Sequence, residues 1–426
     1  MSVVVAAAVA VPVWARGNVI VEGPDEDAFT LLVRAGDLLR RVQRLEPGAR
    51  AEVRTIRIVS SLSGEERAAL FEAWGLPPVD ILSYPENAEG AVKALSDALD
   101  DPGDSTGGAT WVLGAQLASP LGAGVEDPPR RSAIAVALAF GAARARPPTV
   151  AAEDTPPQRT WVTGDGASPS GSPNTPSLMG FRAPPGSGTA VLLTLAEAAT
   201  RTPEGASATW VHATAERTAL RTFLEGRGVP IAGYPVPEDR TFFQVPDDAW
   251  RARAGAPMAS VSQGAYLSRE SYTASIPARW RLEGERCASC HGFSLPPVGR
   301  CHLCGARDGL RRSRLPRVGA KVESATLIHK GAQPTEFDWH QEVYGSYAVG
   351  LVRWPEEGPT LTFQFTDQQP PGAPSGGEVE LVLRRLYPQE GAWRYGLKAV
   401  LVAPGSADAP SANGPSRGKG PRRTSG

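Results

Sequence analysis

No cysteine precedes Cys287, and the four in the chain fall within one short stretch, CASCHGFSLPPVGRCHLC, from Cys287 to Cys304. That placement excludes a disulfide framework spread over the fold, and it excludes a thiol nucleophile from everything upstream. A charge excess is missing as well: 44 basic against 45 acidic residues leave a net charge of −1, so no global field draws the chain to nucleic acid or an anionic membrane. Apolar runs of membrane-spanning length are absent. The opening MSVVVAAAVAVPVWARGN is apolar but lacks a basic start and is broken by Pro12, so it reads as a buried strand rather than a secretory leader. With no cysteine outside the one cluster, a reduced, cytoplasmic compartment is expected.

What the chain does have is length, 426 residues, enough for two or three cores. Ala28, Leu31, Leu32, Ala35, Leu38, Leu39 and Val42 recur at helical spacing behind the turn GPDED. TIRIVSS (Thr55–Ser61), ATWVLGA (Ala109–Ala115), SAIAVALAFG (Ser132–Gly141) and ATWVHAT (Ala208–Thr214) read as buried strands. Gly90–Leu99 and Ser187–Thr200 read as helices, and the alternation predicts an α/β layered domain. Between these runs, 144–178 is rich in Pro, Ser and Gly and reads as a flexible linker, and 404–426 reads as a disordered tail. A softer joint near Asp239–Gly264 leads into a short helical stretch. From Gly319 to Val402 the pattern changes to five strand-like runs: KVESATLIH, YGSYAVGLVRW, TLTFQFTD, EVELVLRRLY and RYGLKAVLV. Five short strands are the complement of an OB-type barrel, though other small barrels fit the same pattern.

Cys287-x-x-Cys290 and Cys301-x-x-Cys304 form two knuckles whose four soft ligands complete a tetrahedron. Gly292 and Gly305 suit the tight turns that follow each pair. A closed four-sulfur site leaves no open position, so the expected ion is a structural Zn2+, with iron as the chemical alternative. His291 and His302 are expected as surface neighbours rather than ligands.

The stretch ARWRLEGERCASCHGFSLPPVGRCHLCGARDGL, followed by GAKVESATLIHKG, YAVGLVRWPEEGPTLTFQFTD and GGEVELVLRRLY, resembles the acyl-CoA-associated zinc-ribbon/OB-fold family over about Pro277–Val402. Members of that family accompany thiolases and related condensing enzymes. The first half, through VAVPVWARGN, PPGSGTAVLLTLAEAA and ATWVHAT, resembles a degenerate hydroxymethylglutaryl-CoA synthase of the thiolase superfamily over about Val3–Gly233. Together the resemblances imply a thiolase-like first half (1–143), the linker (144–178), a truncated second half (179–250), a helical connector (251–285), a rubredoxin-like zinc ribbon (286–315), a five-stranded OB-type β-barrel (316–403) and the tail (404–426). They imply a thiolase or synthase-like partner, homo- or hetero-dimer pairing through the thiolase-like domain, and coenzyme A or acyl-CoA as a ligand. For its phosphates the candidates are Arg307, Arg311, Arg312, Arg314 and Arg317.

Enzymes of that superfamily use a cysteine at a helix start with a glycine three residues on. Here SYPENAEGAVKAL places Asn87 and Gly90 at those positions, and an amide cannot carry the acyl group. The one histidine before the ribbon, His212, lies on a strand and reads as a buried, satisfied side chain. Glu86 and Glu89 suit a helix start. No catalytic residue is therefore assigned, and the expected role is a non-catalytic scaffold or coenzyme A-binding subunit of an acyl-CoA condensing complex. Two alternatives stand beside it. One is a nucleic-acid binder stacking bases on Tyr344, Tyr347, Trp354, Phe363 and Phe365, against which stand the 13 basic and 11 acidic residues between Cys287 and Pro404. The other is an acyl-CoA enzyme working through Glu86, Glu89 or His212.

Overall fold

The computed structural model describes residues 2–16, 19–45, 53–101, 108–118, 133–142, 159–164, 187–201, 207–213, 219–225, 231–232, 242–245, 268–332, 337–338, 341, 345–355, 358–368, 376–389 and 392–402. The opening apolar run is β1 (Ser2–Ala10), followed by β2 (Trp14–Arg16) and β3 (Val19–Val21). Next come α1 (Ala28–Leu45), β4 (Val53–Val59), α2 (Gly64–Trp74), β5 (Asp80–Tyr84), α3 (Ala88–Asp100), β6 (Ala109–Gln116) and β7 (Ile134–Ala142). Then follow β8 (Arg159–Gly164), α4 (Gly188–Arg201), β9 (Ser207–Ala213), β10 (Ala219–Glu225), β11 (Ile231–Ala232) and β12 (Phe243–Gln244).

Six strands form a mixed sheet in the order β11-β1-β7-β6-β4-β5. Because side chains alternate along a strand, β1 feeds two cores: Ala6, Ala8 and Ala10 meet one, with α1, while Ala7 and Val9 meet the other, with α3 and α4, and a register shift between Val4 and Ala6 turns Val4 to that second side as well. The alanines let the helices approach closely, and both sheet faces are covered, as an α/β layered domain requires. Helix α1 begins on a reciprocal cap, in which Thr30 N donates to Asp27 Oδ1 (2.8 Å) and Asp27 N to Thr30 Oγ1 (2.9 Å). Helix α2 has a full capping box at Ser63 and Glu66 and ends at Gly75, whose φ of 61° suits glycine. Gly36 of α1 lies against the Trp74 ring, where a β-carbon would collide.

One expectation needs correction. Six residues of the stretch read as linker, Arg159–Gly164, form β8 and pair in parallel with β9, which pairs in turn with β10. The run RTWVTG carries β-branched and aromatic residues within an otherwise Pro/Ser/Gly-rich segment, and local propensity was masked by the average composition. The rest of 144–178, and the tail from 404, lie outside the described residues.

Helix α5 (Arg269–Arg281) leads into a small sheet of β13 (Glu283–Cys287), β14 (Phe293–Ser294) and β15 (Leu310–Arg314). Five antiparallel strands follow: β16 (Val318–Ile328), β17 (Tyr347–Arg353), β18 (Thr360–Gln364), β19 (Glu378–Gln389) and β20 (Ala392–Leu401), in the order β18-β17-β16-β19-β20. A parallel bridge between Phe365 and Ala399 brings the two edges together into a nearly closed barrel.

The barrel does not stand apart from the α/β sheet. One hydrophobic core runs from β1 through α1 to α5 and the barrel. At its centre Phe29 of α1 packs edge-on against Tyr395 of β20 (4.8 Å) and near Trp280 of α5 (6.0 Å). Beside it the segment Gly23–Asp27, read as the turn before α1, is a turn but a buried one: Asp25 is 0% exposed, and Glu26 and Asp27 are nearly so. Its partners come from the barrel. Lys398 Nζ, also 0% exposed, meets Asp25 at 2.8 Å; Arg384 meets Glu26 at 2.8 Å and Asp367 at 3.0 Å; Tyr395 Oη donates to Asp27 at 3.0 Å. Arg385 donates to the Pro24 and Glu26 carbonyls, and Arg34 and Arg41 of α1 both pair with Glu380 of β19.

Candidate metal centre

The ribbon is too small to fold on apolar burial alone: between β13 and β15 its buried apolar side chains, apart from cysteine, reduce to Phe293. What gathers the segment is the two knuckles. Cys287 N donates to Gly292 O and His291 N to Cys287 O at the first; Cys301 N to Ala306 O and Gly305 N to Cys301 O at the second. Gly305 adopts a φ of 75°, the left-handed conformation that closes the second turn.

These turns bring all four cysteine sulfurs within 4.8 Å of one another. Cys287 and Cys304 Sγ are 3.7 Å apart, and Cys290 and Cys301 Sγ 3.4 Å. A tetrahedron with metal–sulfur bonds of about 2.3 Å has edges of about 3.8 Å, so the set fits one ion. The backbone prepares the sulfurs for it. N–H groups of Cys290 and Ser289 hold the Cys287 thiol down at about 6, and those of Cys304 and Leu303 lower Cys301. At Cys290 the Gly292 N–H pulls the same way, but the neighbouring sulfurs of Cys301 and Cys304 outweigh it and push the thiol up to about 12. Four thiols this close repel as anions, and a divalent cation removes the conflict. His291 and His302 are exposed and outside the ligand set; His302 Nδ1 lies 3.2 Å from Ser294 Oγ.

The five arginines read as a phosphate patch are not brought together. Arg317 is half-buried between α1 and α5, pairing with Asp37 and donating to the Trp280 carbonyl (2.7 Å). Arg314 pairs with Glu283. Arg312 faces Glu285 across the β13–β15 pair while Arg311 faces Arg286, so strand alternation sends the two to opposite sheet faces. Arg307 is exposed. Spacing in sequence made one patch of residues that the strand separates.

Asn87 stands at the N-cap of α3, where its Oδ1 accepts from Gly90 N at 2.8 Å. Gly90 has no room for a side chain because the Pro85 carbonyl lies against it. Glu86 accepts from Ser61 Oγ (3.1 Å), and Glu89 is exposed in the first turn. His212 lies on β9, and its side chain is outside the described residues. Of the aromatics weighed for base stacking, Tyr347, Trp354 and Phe365 are buried and Phe363 is half-buried against the core; Tyr344 is outside the described residues.

No family model matches the chain. Curated relatives do. A DUF35 domain-containing scaffold protein of Pyrococcus furiosus is 31% identical over 122 residues, which is 28% of this chain and 82% of the relative. One of the same name from Methanothermobacter thermautotrophicus is 29% identical over 125 residues, covering 29% of this chain and 88% of the relative. Among solved structures, PksG, a HMG-CoA synthase from Bacillus subtilis, is similar over 63% of this chain and 92% of its own at 12% identity (TM-score 0.41). The Ltp2-ChsH2(DUF35) aldolase is similar over 32% of this chain and 98% of that chain at 22% identity (TM-score 0.23). At such scores the structural likenesses carry no weight here, whereas the match to the archaeal relatives spans most of their length. The chain belongs to the family of DUF35 domain-containing scaffold proteins.

Proposed function

We propose that this protein is a non-catalytic scaffold subunit of an acyl-CoA condensing assembly, in which a thiolase-like α/β part without a nucleophile is joined to a zinc ribbon and an OB-type barrel. The observation that carries the reading is the division of labour among the cysteines. All four lie in one closed cluster suited to a structural ion, and the helix start compared above with an acyl-carrying position holds an asparagine that caps the helix. Relatives named scaffold proteins support it. Zinc is the ion of this reading, because a tetrahedral four-sulfur site in a structural ribbon needs no redox chemistry. The strand order β18-β17-β16-β19-β20, with the outer strands meeting in parallel, supports the OB-type reading of the barrel. Among the described residues, the aromatics weighed for base stacking are buried or half-buried, which counts against a nucleic-acid reading.

The test is affinity purification of the intact protein from its own cells at moderate salt. A thiolase or synthase-like enzyme is expected in the eluate. Bound nucleic acid, or acyl-CoA turnover by the isolated chain, overturns the reading. Asn87→Ala separates the cap from chemistry: it is expected to cost about 0.5–2 kcal/mol of stability and leave the rate of any assembly unchanged. A loss of rate with the assembly intact would return Asn87 to the reaction.

A further inference from the structure

The four sulfurs of the cluster are chemically alike but unequally sheltered. Cys287 and Cys301 are each 1% exposed, Cys290 is half-buried and Cys304 is exposed. The difference follows from how the two knuckles meet. Cys287 ends β13, where it faces Leu310 of β15 and donates its N–H to Gly292 O, so backbone surrounds it. Leu303 closes the side of Cys290: a β-carbon on Gly292 would collide with the Leu303 side chain, and Cys290 Sγ borders the same spot. Cys304 comes one residue later, on the outside of the second turn. Its neighbour Gly305, at a φ of 75°, carries no side chain to screen it. Apart from the flanking residues, no described atom lies within 4 Å of where a β-carbon on Gly305 would stand.

Access of this kind decides which sulfur reacts. A metal-bound cysteine is held as a thiolate, and oxidation selects thiolates that are open to solvent and stand beside a second sulfur. Cys304 meets both conditions, since Cys287 Sγ lies 3.7 Å from its own Sγ, across the two knuckles rather than within one. The other close pair, Cys290 and Cys301 at 3.4 Å, contains no exposed sulfur. The chain has no cysteine elsewhere, so a thiol oxidant finds this cluster and nothing else.

We propose that the cluster is a peroxide-responsive site, in which Cys304 is the sulfur oxidised first and Cys287 the sulfur that resolves it. The inference rests on the reading of the cluster as the seat of a structural ion. The Cys304 thiolate attacks one oxygen of hydrogen peroxide. An S–O bond forms, the O–O bond breaks, and the departing hydroxide takes up a proton to become water. The Cys287 thiolate then attacks Cys304 Sγ: the S–S bond forms, the S–O bond breaks, and a second hydroxide leaves as water with a second proton. Two thiolates have lost two electrons, and one peroxide has become two waters. The two sulfurs that remain cannot complete a tetrahedron, so the site no longer holds its ion. With Phe293 as its apolar core the ribbon opens. Its ends stay anchored, because β13 follows α5 and β15 runs into barrel strand β16, so a dithiol and fresh zinc close it again.

The test is a hydrogen peroxide titration of the full-length, zinc-loaded chain, with a chromogenic chelator reporting released zinc and mass spectrometry reading the cysteines. Zinc is expected to leave with the first two thiols lost, and to be taken up again after a dithiol and zinc are added. Trypsin cuts after Arg286, Arg300 and Arg307, so a Cys287–Cys304 bond joins peptide 287–300 to peptide 301–307, and fragmentation locates the link. A bond within either knuckle leaves the two peptides separate. Cys304→His keeps a fourth ligand while removing the open sulfur, and is expected to slow release at least ~10-fold. Cys290→His, at the half-buried sulfur, is expected to release zinc at the parent rate. Zinc retained by the oxidised parent, release with any pairing other than Cys287–Cys304, or equal slowing in both histidine variants overturns this inference alone. A reduced chain that takes up no zinc overturns the structural-ion reading and this inference with it. The parent's peptide map decides the matter even where a histidine variant fails to fold.

Discussion

Serine in place of Cys287 or Cys301 is expected to abolish metal uptake by the ribbon and to unfold it while the barrel keeps its structure. Both residues are buried, and each supplies one corner of a tetrahedron that has no spare ligand among the described residues, since neither His291 nor His302 belongs to the ligand set. A serine hydroxyl stays protonated and is a poor ligand for a soft site, so affinity should fall by more than the roughly 100-fold that loss of an outer-shell partner costs. Little else holds the segment. Its apolar core is Phe293, and each knuckle turn is held by two backbone hydrogen bonds. Metal binding and folding are therefore one event for residues 286–315. The barrel has its own core and its ionic seam with α1, and should not follow. Two measurements check this: metal content per chain, expected to fall from one equivalent to none, and tryptic cleavage after Arg300 and Arg307, expected to become fast only in the variants. Unchanged metal content with a resistant ribbon would show that the four cysteines hold no ion.

How much of this was readable beforehand depends on the kind of signal. The four-cysteine cluster was plain, because metal-ligand spacing is local. Strands β1, β4, β6, β7 and β9 and helices α1, α3 and α4 were plain too, because each has an apolar face of clear period or a continuous buried run, whereas the edge strand β5 and the linker-embedded β8 were not read. Helix α2 has less periodicity: AALFEAW places apolar residues on successive positions, and its capping box Ser63–Glu66 was the usable sign. The arginine patch failed for the opposite reason. Five arginines within eleven residues look like one surface until the register of β15 sends Arg311 and Arg312 to opposite faces. The seam between the α/β part and the barrel was hidden in the turn GPDED. Charged residues read as solvated by default, and nothing local says that Asp25 will meet a lysine 373 positions later. The sign, in hindsight, sits on the other side: Lys398 in GLKAVLV and Arg384–Arg385 in LVLRRLY interrupt runs that otherwise read as fully buried strand.

That seam should give the largest stability effect outside the metal site. Lys398→Met is expected to cost about 3–5 kcal/mol, because it leaves Asp25 buried with its main cation gone. Thr366 Oγ1 still donates to Asp25, and Arg384 Nε lies at 3.7 Å, too far to replace a contact at 2.8 Å. Adding Asp25→Asn should recover more than half of the loss by removing the stranded charge, and the double-mutant cycle measures the coupling. The same seam sets a pH dependence of two opposed signs. Burial lifts the Glu26 carboxyl to about 7 against the pull of Arg384, with Asp367 adding to the rise. Its folded state therefore holds a proton that the unfolded chain releases, and stability falls as pH rises from 4.5 to about 7, by roughly 3 kcal/mol. Glu380 is the reverse: burial would raise it, but Arg34 and Arg41 prevail and hold it at about 2, so its contribution is complete above pH 4.5 and is lost as pH falls toward 2. Thermal unfolding across this range should show Glu26→Gln flattening the decline above pH 4.5 while leaving the acid limb in place. A Glu26→Gln variant with the same slope as the parent would move the alkaline loss away from the seam. A Lys398→Met variant within ~0.5 kcal/mol of the parent would mean that Asp25 is neutral or solvated in the folded protein.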